Sequence, residues 1–175
     1  MKMLTIAVLL ALGLGAQDFK IPLNVDRLAA KAVESVDVNL DAAMLQLAGK
    51  FLSDKKPEEA DARRLIGGLK GVYVRSFEFS KPGEYSEADV ESLRAQLKPP
   101  VWSRIVGVRS KKDGENADVF LKTENNRITG LAVIATEPRE LTIVHISGPI
   151  NPDDLGRLGG QFGIPRLDVK PGAGK

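Results

Sequence analysis

The chain contains no cysteine and a single histidine among its 175 residues. Without cysteine there is no disulfide framework, thiolate nucleophile, haem-attachment motif or cysteine-held zinc or iron–sulfur cluster. One histidine excludes an all-histidine metal site within one chain, although carboxylate sites stay open. A dominant sign of charge is lacking too. The 25 Lys and Arg face 23 Asp and Glu, for a net charge of +2, too small to point by itself to nucleic acid or a membrane surface. No stretch reaches the roughly 18 consecutive apolar residues of a membrane span. There is no Gly-x-Ser-x-Gly elbow to support a hydrolase nucleophile.

What remains is globular in character: 43% hydrophobic and 27% charged, in a length suited to one domain with its own core. At the N-terminus, Lys2 precedes an apolar run from Met3 to Leu12 interrupted only by Thr5, and Gly13, Leu14, Gly15 and Ala16 follow. A basic start, a short apolar run and small residues predict a signal peptide over residues 1–16, cleaved after Ala16. With no cysteine to carry a lipid, the expected product is a soluble periplasmic or secreted protein. Residues 17–34 read as a leader with a weak helix, 35–167 as the folded domain, and 168–175 as a Gly-, Pro- and Lys-rich tail expected to fray.

Within the domain, Val36, Val38 and Leu40 alternate with Asp37, Asn39 and Asp41, as in a strand with one polar edge. Asp41 is placed to cap a helix whose Met44, Leu45, Ala48, Phe51 and Leu52 form an apolar stripe. Pro57 suits the first position of a second helix, with Ala62, Leu65, Ile66 and Leu69 facing inward. Val72–Phe79 is a strand. Ser86 and Asp89 have capping-box spacing before a helix carrying Val90, Leu93 and Leu97. Four strands follow, Trp102–Arg109, Ala117–Thr123, Arg127–Ala135 and Leu141–Ser147, joined by short turns that favour an antiparallel meander. Asn151 then caps a last short helix. The expected fold is a single α+β domain: a mainly antiparallel meander sheet of about five to six strands with three to four helices packed on it.

Chemistry-bearing residues are sparse. His145 sits on a strand, opposite in parity to Val144 and Ile146, without a visible orienting partner, and reads as a structural residue. Asp37-x-Asn39-x-Asp41 imitates the start of a calcium loop, but Ala42 and Ala48 stand where the loop needs Gly and Glu, so the cage cannot close. Gly67-Gly68 and Gly159-Gly160 sit at helix ends, where carbonyls repel phosphate. Trp102, Arg104, Arg109, Lys111 and Lys112 form a basic hairpin end diluted by Asp113 and Glu115. No cofactor, no metal and no nucleic-acid partner is therefore expected. The informative feature is that both faces of the sheet carry apolar residues. One of them presents a candidate interaction patch of Tyr73, Arg75, Phe77, Phe120, Ile143 and His145. Such a patch is covered either by the helix Asp41–Leu52 or by a partner.

Three segments carry a family resemblance: LAGKFLSDKKPEEADARRLIGGLKGVYVRSFEF, VWSRIVGVRSKKDGENADVFLKTENNRITGLAVIATEP and ELTIVHISGPINPDDLGRLGGQFGIPRLD. Together they resemble the bacterial exported domain-of-unknown-function family numbered 4252, over about Ser35 to Leu167. The resemblance implies a regulatory role at the cell envelope and carries no catalytic residue onto these positions. The functional expectation is a non-enzymatic interaction or regulatory module, its partner another envelope protein or itself. The alternatives are a periplasmic small-ligand carrier and, behind it, a carboxylate-dependent hydrolase.

Overall fold

A computed structural model describes residues 23–153. The expected signal peptide, most of the expected last helix and the expected tail fall outside the described residues. The element order is α1 (Leu23–Ala29), β1 (Glu34–Asp41), α2 (Ala42–Lys50), α3 (Pro57–Gly68), β2 (Gly71–Glu78), α4 (Glu87–Arg94), β3 (Trp102–Arg109), β4 (Asn116–Glu124), β5 (Arg127–Glu137) and β6 (Glu140–Ser147). The six strands form one open sheet in the order β1-β2-β6-β5-β4-β3, antiparallel at every pairing. The meander from β3 to β6 is present as expected, and β6 closes against β2.

Local chemistry sets the boundaries. The Asp41 carboxylate accepts from the Met44 amide at 2.9 Å and starts α2. Pro57 occupies the first turn of α3, where a missing N–H is harmless. Ser86 and Asp89 close a reciprocal capping box on α4. Asn125 and Asn126 both take positive φ, 50° and 60°, which the tight β4–β5 hairpin turn requires. Gly148, at φ 126°, passes so close to α3's exit that a Cβ there would stand 2.7 Å from the Lys70 amide nitrogen.

Strand alternation gives the sheet two apolar faces, and helices cover both. On the first face, Phe77, Phe120, Ile134, Leu141 and Ile143 pack with Val25 and Leu28 of α1, Val90 and Leu93 of α4, and Trp102. On the second, Val72, Val119, Leu131, Val133, Val144 and Ile146 pack with Leu45 of α2 and with Leu65 and Ile66 of α3. This corrects the expected cover. The helix Asp41–Leu52 lies on the face opposite the candidate patch, because residues of β1 and β2 with the parity of Leu40 and Val72 face it. The short α1 and α4 cover the patch instead.

The second correction concerns α2 itself. Of its expected inward stripe, Leu45 is buried, whereas Met44 is 50% and Phe51 82% exposed, with Leu47 also at 50%. Apolar residues occupy more than one side of this helix, and it can turn only one of them inward. The side that wins carries Leu45 and Gly49, the latter against Ile66 of α3.

Candidate functional site

All six residues of the sequence-derived patch share the first face, on β2, β6 and β4. Phe77, Phe120 and Ile143 are buried there in one cluster with residues of α1 and α4, and His145 is buried between Tyr73 and Trp102, so they are core rather than open surface. Their coverage has a physical cause: α1 is held down by Arg75, which pairs with Asp26 at 2.8 Å and reaches Asp37 at 3.5 Å. The Arg75 guanidinium also lies 5.5 Å from the centre of the Phe77 ring. Tyr73 and Arg75 remain half-buried. His145 is stacked on Tyr73, ring centres 5.7 Å apart, and meets the edge of Trp102 at 5.9 Å. It lies on the strand face opposite Val144 and Ile146.

One charged cluster escaped the sequence reading. Asp118 of β4 is 0% exposed and binds three guanidiniums. Arg94 Nε of α4 lies at 2.9 Å, Arg104 of β3 at 3.3 Å, and Arg109 of β3 donates to both carboxylate oxygens at 2.7 and 2.8 Å. Arg94 also binds Glu87 and lies 3.7 Å from Glu91. Three cations thus meet three carboxylates, and the cluster ties α4 to the edge strand. The signal was available: Asp118 has the inward parity of Phe120, and a charge at a core position needs partners.

On the second face the register defines two rows that stand outside the core cluster formed with α2 and α3. The first is Val36, Ser76, Thr142, Ala135, Ala117 and Val108, one from each strand. It stands outside both core clusters; Val36 and Val108 are exposed, Ser76, Thr142 and Ala135 half-buried, and Ala117 buried. The second is Glu34, Glu78, Glu140 and Glu137, directly opposite one another on neighbouring strands. Glu140 accepts from Thr142 at 2.9 Å and Ser76 at 3.3 Å. Burial, then the charges of Glu140 and Glu115, raise the Glu137 pKa above the ordinary carboxylate value. A raised carboxylate favours the fold below its unfolded pKa and loses that contribution as pH rises through the folded one. Glu137→Gln is therefore expected to stabilise the protein at pH 7 by about 0.5 kcal/mol. Urea melts should show the gain vanish as pH falls below the carboxylate range.

A groove of about 400 Å³ opens between α3 and the β4–β5 turn, walled by Arg64, Leu65, Ile128 and Ile150. No group of three or more His, Asp or Glu among the described residues is placed to hold a metal ion. No described helix is long and apolar enough to cross a membrane. The model of a family described as "Domain of unknown function (DUF4252)" matches residues 30–158. The chain belongs to this family. The DUF4252 match begins four residues before β1 and takes in all six strands and α2–α4, so both faces of the sheet and the α2 stripe fall within it. A search of the curated proteins finds no match.

Proposed function

We propose that this DUF4252 chain is an exported, non-enzymatic protein-interaction module of the cell envelope, with a regulatory role. The observation that carries this reading is the apolar stripe of Met44 and Leu47 on α2 and Phe51 at its C-cap, spaced i, i+3 and i+7 and turned to solvent. A ridge of three large apolar side chains on one helix face is the form in which a helix presents itself to a binding groove or a second surface. The groups best suited to chemistry are engaged in structure: Asp118 by three arginines and His145 between two aromatic rings. Export is supported by the basic, apolar and small-residue order of residues 1–16.

The test is crosslinking of tagged protein in intact cells, comparing wild type with Phe51→Asp. The expected result is an envelope-fraction adduct that the substitution abolishes while the circular dichroism spectrum stays unchanged. Identical adducts from both proteins, or recovery only from the cytoplasm, would overturn the reading.

A further inference from the structure

The inference that follows rests on the reading that the α2 stripe is a docking surface, and it names the occupant. We propose that a second copy of this chain occupies it, in a two-fold dimer where α2 of each protomer packs on the Val36–Val108 strip on the second sheet face of the other.

Three observations carry the proposal. The first is placement. The stripe and the strip lie on the same side of the sheet, one on the helical layer and one beside it. A single two-fold rotation can therefore set each stripe on the other protomer's strip, giving the self-complementary interface that closed dimers need. The second is shape. The middle of the strip is made of small side chains, Ser76, Thr142, Ala135 and Ala117, between the exposed Val36 and Val108. That is a shallow trough, and Met44, Leu47 and Phe51 are long projections suited to fill it. Six strands at about 4.8 Å spacing make the strip about 24 Å wide, against about 14 Å for the nine residues of α2. Two such contacts, related by symmetry, approach the roughly 800 Å² per partner of a stable interface better than one.

The third is charge. The strip is bordered by Glu34, Glu78, Glu137 and Glu140, with no basic residue in that row. Beyond Leu47, α2 ends in Lys50, and the connection to α3 carries Lys55 and then Lys56, the α3 N-cap residue, which is paired with Glu59. The acidic groups near these lysines have duties within the chain: Asp54 binds Arg63 at 2.7 Å, Glu59 binds Lys56 at 2.8 Å, and Asp41 caps α2. Docking would bring lysines to a row of carboxylates that repel one another in the monomer.

Sedimentation velocity of the purified chain over a concentration series tests this directly. The expected result is a reversible dimer that weakens as salt rises. Phe51→Asp on the stripe and Val108→Asp on the strip, both at exposed positions, should each weaken dimerisation at least about tenfold. Mixing the two variants should recover part of the dimer, because one of the two contacts in the mixed pair is intact. Glu78→Lys should weaken it, and Lys50→Glu added to Glu78→Lys should recover part of the loss. A chain that stays monomeric throughout, or a dimer indifferent to Val108→Asp, overturns the proposal. If the monomeric chain still gives envelope adducts that Phe51→Asp abolishes, the stripe serves a different partner and only the dimer falls. If the chain dimerises as described but the adducts of both proteins match, the dimer stands and the envelope reading falls.

Discussion

Replacing Asp118 with alanine is expected to lower the folding free energy by about 3–5 kcal/mol, the cost of removing one partner from a buried ion pair. The carboxylate is fully buried and is the shared acceptor of Arg94, Arg104 and Arg109. Its loss leaves Arg94, itself largely buried, with Glu87 as its short-range partner and the exposed Glu91 at 3.7 Å. Arg109 retains only its bonds to the Val108 and Ala117 carbonyls through the other guanidinium nitrogen. The damage should be local in origin and global in effect, because this cluster joins α4 to β3, the strand at the sheet edge with a single neighbour. Urea denaturation measures the loss. Amide exchange should show β3 and α4 loosening first. A double variant, Asp118→Ala with Arg94→Leu, should recover part of the loss, since it removes the stranded charge along with its partner. An Asp118→Ala protein as stable as the parent would show that the three arginines are solvated equally well without it.

The elements were legible where a short segment determines its own backbone. Asp41, Pro57 and the Ser86–Asp89 pair mark helix starts by satisfying or lacking particular N–H groups, and Asn125-Asn126 marks a turn through the φ angles it tolerates. Such signals act over three or four residues, so one sequence carries them. Strand periodicity extended this to the faces: Tyr73, Arg75, Phe77, Ile143 and His145 do share one. Which helix covers which face depends on contacts between residues far apart in the chain, which no local pattern carries. The α2 helix has apolar residues on several sides, so its pattern alone does not choose between burying Leu45 and burying Met44. In the structure the side with Leu45 and Gly49 is buried, Gly49 against Ile66 of α3. Leu47, half exposed, lies at helical spacing from both Met44 and Phe51. Asp118 was missed for a related reason. Its parity marked it as inward, but its three partners come from α4 and from both ends of β3.

The same reversal changes what a charge introduced at Phe77 should do. Were the first sheet face open to a partner, Phe77→Asp would leave a folded chain that had lost a contact. The structure gives Phe77 0% exposure, among Leu141, Ile143 and the α1 residues Val25 and Leu28. Truncating such a ring to alanine costs about 3–5 kcal/mol from lost burial and the cavity left behind. An aspartate adds the penalty of a carboxylate in an apolar site, and the guanidinium over the ring, Arg75, is already engaged with Asp26 and Asp37. The sum reaches the whole stability of an ordinary domain of this size. Phe77→Asp is therefore expected to be unfolded at neutral pH, and Ile143→Asp likewise, judged by near-ultraviolet circular dichroism and the absence of a cooperative melt. Phe51→Asp should melt within about 0.5 kcal/mol of the parent, since it changes an exposed position. The pair forms a contrast at one residue type: a phenylalanine whose loss destroys the fold and another whose loss spares it. A folded Phe77→Asp protein would mean that α1 lifts from the sheet and that the first face, not α2, is open to a partner.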